Sequence, residues 1–305
     1  MVYFSAIIPT LNEERIIEDC ILSFRKNKDV EIIVIDCGSS DKTVEIVKKY
    51  PYVKLLHTER KGHFHQKNVG VKHAKGKVLL FMDADIILSQ DFFKNMKQDF
   101  KGKNVGMVMA NVIHDFPEKG FSAIRKKIHD YQYRPIKSPV VRQTKNWKDV
   151  GSVCLCVKKE IFQPFDERSY YGFGDWEFCS RMTKYCNEND IKILVDERAD
   201  AVHFLDDSIK QYFKKIRRAW YFDGVLVVKN KMYNRFRGRI IRSILSPILV
   251  FPAIFKYFYE SSKAKLTFRE TAVYVPVACY RYLYGSYYFI KGVLKEKYGN
   301  AFDFK

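Results

Sequence analysis

Between Tyr3 and Met82 the sequence alternates between two patterns, and this alternation restricts the fold more than any other feature. Tyr3 to Ile8 is a short apolar run and reads as a first strand. Ile16, Ile17, Cys20, Ile21 and Phe24 then recur at helical spacing, after a loop in which Thr10 or Asn12 is a candidate helix N-cap. Glu31 to Ile35 is a second buried strand, ending at Asp36, and Lys42 to Tyr50 is a second helix. Val53 to Leu56 is a third strand, Gly62 to Ala74 holds a third helix closed by Gly76, and Val78 to Met82 is a fourth strand. Strands alternating with helices this regularly predict an α/β fold with a parallel, Rossmann-like sheet.

In such a sheet, ligands bind at the carboxyl ends of the strands, and here those ends are polar. The fourth strand runs into Asp83-Ala84-Asp85, the second ends at Asp36, and the first leads into Thr10-Leu11-Asn12-Glu13. Two carboxylates one residue apart repel each other unless a cation lies between them and a ligand. A hard divalent ion, Mg²⁺ or Mn²⁺, removes that repulsion and holds phosphates. The plain alternative is an Asp-x-Asp surface turn. Asp36 can accept from the ring N–H of a nucleobase, or it can cap the following helix, a task Ser39 or Ser40 can also perform. Neither Gly-x-x-x-x-Gly-Lys-Ser/Thr nor Gly-x-Gly-x-x-Gly occurs, which argues against a P-loop ATPase or a nicotinamide dehydrogenase.

Four segments in order, Ile7-Ile8-Pro9-Thr10-Leu11-Asn12-Glu13-Glu14, Val34-Ile35-Asp36-Cys37-Gly38-Ser39-Ser40-Asp41-Lys42-Thr43, Asn68-Val69-Gly70 with Ala74 and Gly76, and Phe81-Met82-Asp83-Ala84-Asp85, resemble a family 2 glycosyltransferase with the GT-A fold. The resemblance implies a nucleotide-diphosphate sugar donor, UDP- or GDP-linked, a divalent metal, and transfer of one sugar. It implies that Asp36 meets the base, Asp83 the ribose or the metal, and Asp85 the metal. The expected donor-binding set is Pro9, Thr10, Asn12, Glu13, Asp36, Gly38, Ser39, Lys67, Asp83, Ala84 and Arg218.

The later sequence carries the other half of the expected chemistry. Val105 to Val112 reads as a strand, Gly120 to Arg134 as a basic helix with a solvated face, and Val150 to Val157 as a strand led by a glycine. Similar family members use such a glycine-led segment to floor the acceptor site. Cys154 and Cys156 share one face and are expected to pack. Tyr170-Tyr171-Gly172-Phe173-Gly174-Asp175-Trp176-Glu177 then opens an apolar-faced helix, where carboxylates gain from the helix dipole. Asp175 can simply cap that helix. The segment also resembles the family's Gly-Glu-Asp-like motif, whose Asp is the general base. Gly174 departs from it, which leaves Asp175 and Glu177 as alternatives for the base. Ile191 to Val195 and Ala201 to Phe204 read as two further strands, and the resemblance makes His203 a metal ligand beside Asp85. Ser208 to Phe222 is a basic, aromatic helix that places Arg218 to steady the leaving group or leaves it on a charged surface.

Charge and the last seventy residues bear on location. Lys and Arg number 54 against 35 Asp and Glu, a net charge of +19, which calls for an anionic partner. Seven scattered cysteines with no Cys-x-x-Cys are expected to be reduced thiols of a cytosolic compartment. No signal peptide is read at the N-terminus and no apolar run is long enough to span a bilayer cleanly. Arg235, Arg237, Arg239 and Arg242 precede a proline-broken apolar run from Ser243 to Phe255, and a second run, Ala272 to Tyr280, is followed by Tyr282, Tyr284, Tyr287 and Tyr288. Short apolar runs with Tyr, Arg and Lys at their borders favour an interfacial appendage on an anionic membrane surface, with packed core helices as the alternative.

The expected organisation is therefore a GT-A catalytic domain over residues 1–233, with a nucleotide-binding half at 1–85 and an acceptor half at 86–233, and a helical appendage at 234–305. The expected activity is an inverting, metal-dependent glycosyl transfer at the cytoplasmic membrane face, with Mn²⁺ or Mg²⁺ as cofactor. The acceptor is a polyprenyl-phosphate-linked or growing glycan, and nucleic acid is not a partner. The alternatives are a soluble glycosyltransferase with a non-lipid acceptor, a nucleotidyltransferase, and a basic non-catalytic membrane- or RNA-binding protein.

Overall fold

The computed structural model describes residues 2–24, 27–60, 62–132, 139–167, 173–205, 209–229 and 233–298. The chain divides into two compact units, one of Met1–Asp115, Ile136–Tyr170 and Gly174–Phe204, the other of Phe116–Pro135, Tyr171–Phe173 and Leu205–Lys305. The boundary expected at residue 233 falls inside the second unit.

The elements in chain order are β1 (Phe4–Thr10), α1 (Ile17–Ser23), β2 (Val30–Asp36), α2 (Thr43–Lys48), β3 (Val53–His57), α3 (His63–His73), β4 (Val78–Met82), β5 (Ile86–Leu88), α4 (Phe92–Phe100), β6 (Val105–Asp115), α5 (Gly120–Gln132), β7 (Val141–Thr144), β8 (Cys154–Lys158), α6 (Phe173–Glu188), β9 (Lys192–Phe204), α7 (Ile209–Lys229), α8 (Tyr233–Ile244), α9 (Ser246–Lys263) and α10 (Phe268–Tyr298).

The first unit is built on one nine-stranded sheet in the order β3-β2-β1-β4-β8-β6-β9-β5, with β7 added on β9. Strands β3, β2, β1 and β4 are parallel, as the alternation predicts. Strand β8 then enters antiparallel to both β4 and β6, so the sheet is mixed. Side chains alternate between two cores, one on each face. Phe4, Ala6 and Ile8 of β1 and Val78, Leu80 and Met82 of β4 point to one. Ile7, Leu79 and Phe81 point to the other. Burial on both faces is why these strands read as unbroken apolar runs. Cys154 and Cys156 pack on the first face, as their spacing predicts.

Helix α3 lies unusually close to the sheet. A Cβ on Gly70 would come within 2.5 Å of Ile7 Cγ2 and 2.9 Å of Ile35 Cδ1. That approach brings the side chains of Gln66 and Lys67 under the strand ends. The two strands expected at 191–195 and 201–204 are one, β9. Its register on β6 jumps from Ala110↔Asp196 to Asn111↔Asp200, a bulge that leaves residues 197–199 without partners on β6. The short β5, β7 and helix α4 were not marked in the sequence.

The second unit is helical. Helices α7 and α10 meet through glycines: a Cβ on Gly224 would fall 2.1 Å from the Phe289 carbonyl oxygen, and one on Gly292 would fall 2.0 Å from that of Tyr221. Val227 and Phe289 are buried at this contact, and the Arg239 guanidinium lies 4.7 Å from the Trp220 ring centroid. Lys127 of α5 pairs with Glu270 of α10 at 2.7 Å. Pro252 and Pro276 lie inside α9 and α10. Pro247, by contrast, stands in the first turn of α9, just past the break after α8. No single helix among the described residues is long and apolar enough to cross a membrane. Gly238–Ile244 and Ser246–Lys263 pass that test as a pair bent by 95°. All seven cysteines are free.

Candidate active site

Three parallel strand ends converge as expected, but the first two loops spend most of their polar groups on each other. Asp36 is buried and accepts from Gly38 N at 2.8 Å, Ser39 N at 3.1 Å and Ser39 Oγ at 2.5 Å. It closes its own turn and does not cap α2, whose N-cap residue is Lys42. The turn needs Gly38, at φ +90°, and a Cβ there would meet nothing within 4 Å. Asn12, at φ 59°, donates its backbone N–H to Ser39 Oγ at 2.9 Å, and its side-chain oxygen accepts from Ser40 N at 2.8 Å. Glu13 N–H donates to Thr43 Oγ1 at 2.8 Å, and Glu14 N–H donates to Asp41 Oδ2 at 3.1 Å.

Neither Thr10 nor Asn12 caps α1, which starts after Ile16 without a side-chain cap. Thr10 completes β1, and Asn12 is left-handed and committed to the facing loop. Pro9 is buried within β1. The Thr10 hydroxyl is buried with no hydrogen-bond partner among the described residues.

The end of β4 is different: its charges are held by other charges. Asp83, Asp85 and His203 each offer one ligand atom, all within 4.8 Å of one another. The chain positions this trio through strand pairing, because β5 sets Ile86 opposite His203 and the Asp85 carbonyl accepts from Phe204 N at 3.0 Å. His203 Nε2 lies 3.2 Å from Asp85 Oδ2. Asp85 Oδ1 is buried and accepts no hydrogen bond among the described residues. Two carboxylates and an imidazole, with a buried oxygen left over, fit a divalent cation that accepts oxygen and nitrogen ligands. Asp83 Oδ1 also faces His63 Nε2 at 3.2 Å and Lys67 Nζ at 3.7 Å. Burial opposes ionisation of Asp83, but the His63 and Lys67 charges outweigh it and hold the carboxyl well below its ordinary range. Ala84, between the two aspartates, is buried.

Asp175 lies in the first turn of α6 and accepts from Ser152 Oγ. Burial pushes its carboxyl above the ordinary range, against the opposing charges of Lys67 and His63. Lys67 is fully buried and donates to Ser152 O and Oγ, each at 2.9 Å. It therefore sits beneath the site between Asp83 and Ser152, not at an open donor surface. Glu177, the other candidate base, is committed elsewhere: Arg181 grips it at 2.7 and 3.1 Å and also reaches the Gln163 side chain and the Pro164 carbonyl. Gly174 has a packing reason, since a Cβ there would fall 2.1 Å from the Phe64 ring. Arg218 is on α7 in the second unit, and its side chain lies outside the described residues, as do Tyr170, Tyr171 and Gly172.

Two residues of this centre were missed in the sequence, His63 and Ser152. His63 and Lys67 are four apart on a helix, which puts both on one face, and that spacing was a usable signal. Ser152 carried none, because its position depends on β8 reversing direction.

The chain matches the family model "Glycosyl transferase family 2" over residues 5–164, more than half its length. It belongs to glycosyl transferase family 2. The family's matched region contains β1 to β8, and so both loops, Asp83, Asp85 and Ser152. Among curated relatives, the chain is 29% identical to the glycosyltransferase AglE of Haloferax volcanii over 59% of this chain and 61% of that protein. It is 22% identical to a dolichyl N-acetyl-α-D-glucosaminyl phosphate 3-β-D-2,3-diacetamido-2,3-dideoxy-β-D-glucuronosyltransferase of Methanococcus voltae, over 97% and 98%. The match to the glycosyltransferase GlyG of Streptococcus pneumoniae covers 57% of that protein, so the chain spans about three fifths of the first relatives it matches. Among solved structures, S. aureus TarS 1–349 in complex with UDP superposes with a TM-score of 0.56 at 16% identity, covering 100% of this chain and 94% of that one. The likeness establishes the fold, the GT-A architecture.

Proposed function

We propose that the protein is an inverting glycosyltransferase that moves one sugar from a nucleotide-diphosphate sugar to an acceptor hydroxyl at a membrane surface. The observation that carries this is the pairing of the Asp83–Asp85–His203 cluster with a half-buried, raised carboxyl, Asp175, joined through Lys67 and Ser152. Asp36 and the Thr10 hydroxyl would receive the base and ribose. Asp83, Asp85 and His203 would hold Mn²⁺ or Mg²⁺, which supplies positive charge for the departing diphosphate. Asp175 would take the proton from the acceptor hydroxyl. Solved relatives of the fold include TarS with UDP and with UDP-GlcNAc, and GalNAc-T7 with UDP, GalNAc and Mn²⁺, which supports a uridine donor and a metal. A panel of UDP- and GDP-linked sugars, scored for Mn²⁺-dependent donor hydrolysis, tests the reading. No turnover and no metal-dependent nucleotide binding across the panel would overturn it.

A lipid-linked acceptor at the cytoplasmic face is the finer proposal. It draws on the Methanococcus relative, whose name specifies a dolichyl phosphate-linked acceptor, and on the second unit. Along α9, Ile248, Phe251, Phe255 and Phe258 recur at helical spacing and are exposed, Phe255 at 78%. Lys256 and Lys263 are on the same helix. An exposed apolar row on a helix that also carries cations suits an anionic lipid surface, where each basic residue contributes about 1 kcal/mol that salt removes. The full chain is expected to float with anionic vesicles, less at high salt, and F255E/F251E to lose flotation while keeping its far-ultraviolet spectrum. Equal flotation of both proteins, or of neither, would remove the membrane reading.

A further inference from the structure

We propose that Ser152 is the positioning residue of the Asp175 base and that Lys67 sets the direction of the hydrogen bonds, so that Asp175 Oδ2 is the oxygen that takes the acceptor proton. This rests on Asp175 as the base. A lysine ammonium has three donors and no acceptor. Lys67 is fully buried, so each N–H needs a partner in the protein. One goes to Ser152 O and one to Ser152 Oγ, both at 2.9 Å, and the Nζ faces Asp83 Oδ1 at 3.7 Å. The serine hydroxyl owns one proton. Because Lys67 occupies a lone pair of Oγ, that proton is directed at Asp175 Oδ1, which accepts it. Donation from the serine hydroxyl makes Oδ1 the less basic of the two carboxylate oxygens. Protonation of Asp175 therefore occurs on Oδ2.

The reaction then balances in one direction. The acceptor O–H bond breaks and its proton bonds to Oδ2. The oxygen pair forms the bond to the anomeric carbon, and the carbon–diphosphate bond breaks with its electrons leaving on the diphosphate. The segment carrying Ser152 is itself fixed to the metal-site strand end, since Asp83 N–H donates to the Val153 carbonyl at 3.2 Å. Base and donor carboxylates thus share a rigid frame, and small displacements of a base are costly to rate.

The test uses the full chain with four variants, Ser152→Ala, Ser152→Thr, Asp175→Asn and the double S152A/D175N, each checked for folding by circular dichroism. Ser152→Ala is expected to lower kcat about 10- to 100-fold with donor KM within about twofold, and Ser152→Thr to restore most of it. In the Asp175→Asn background, removing the serine hydroxyl should cost less than about twofold more, since it acts through Asp175. Should S152A fail to fold, Ser152→Cys, a weak donor of similar size, carries the same expectation with a smaller loss. A parental kcat in S152A, a threonine that does not rescue, or losses that multiply in the double variant would overturn the proposal while leaving Asp175 as base. A near-parental kcat in Asp175→Asn would overturn both.

Discussion

The two loops after β1 and β2 and the cluster after β4 lie on one sheet edge, and both carry family motifs, yet they use polar residues in opposite ways. In the loops, Asn12, Glu14, Asp36, Ser39, Asp41 and Thr43 bond one another, so the motif is mostly an interlock that shapes a floor. In the cluster, Asp83, Asp85, His203, Lys67 and Asp175 crowd charge into a half-buried space, and Asp85 Oδ1 is left over. Breaking each region in turn should therefore give different kinds of loss.

The largest loss is expected at the cluster. Asp85→Ala should abolish Mn²⁺-dependent nucleotide binding, a fall of more than about 100-fold, with the fold retained because the group it removes accepts little from the protein. Calorimetry with nucleotide and Mn²⁺ measures it, and unchanged affinity would end the metal role. Asp175→Asn comes next, with donor affinity intact and kcat lower by about 10²–10⁴. Its raised carboxyl also fixes a sign. The base works only when ionised, so activity is lost as pH falls, and the acid limb of kcat should lie above the ordinary carboxylate range. A limb at or below that range points to a phosphate acceptor, which needs no base.

The same contrast explains what could be read from the sequence. The parallel half-sheet was legible because strands buried on both faces and amphipathic helices have distinct periods, and the Asp83 and Asp85 pair stood at a strand end. His203 was legible only through the family pattern. Its approach to Asp85 depends on β5, three residues long, pairing antiparallel to β9, and so short a strand leaves no period to detect. Burial of Lys67 was hidden too: it is set by Gly70 drawing α3 onto Ile7 and Ile35, a contact between distant residues. For the C-terminal helices the composition was legible and the geometry was not, since Pro252 and Pro276 sit inside continuous helices.

A smaller effect is expected from the interlock. Asp41 accepts from Thr43 N at 3.0 Å, Thr43 Oγ1 at 2.6 Å and Glu14 N at 3.1 Å, and it is outside the expected donor set. Asp41→Ala should cost about 1–2 kcal/mol of stability and raise donor KM a few-fold, with kcat unchanged. Denaturant midpoints and steady-state kinetics check it. A large fall in kcat with stability intact would make these loops catalytic and erase the contrast.

The smallest effect concerns a third group of buried charges, away from the site, that serves as the control. Asp99 of α4 and Asp196 of β9 share Arg198, at 2.8 and 2.9 Å. Burial first, then the hydrogen bond and charge of Asp196, push the Asp99 carboxyl up to about 7, against the pull of Arg198. The folded chain thus binds more protons than the unfolded one between about pH 4, the usual carboxylate value, and pH 7. Stability from this group is complete below that window and is lost as pH rises through 7. Asp99→Asn supplies a permanent donor to Asp196 and removes the titration. Relative to the parent, the variant should gain on the order of 1 kcal/mol between pH 5 and pH 8, with kcat unaffected. Urea midpoints for both proteins across that range decide it. Parallel curves would show that the pair carries no shared proton, and a change in kcat would mean that buried charge far from Asp85 also bears on the chemistry.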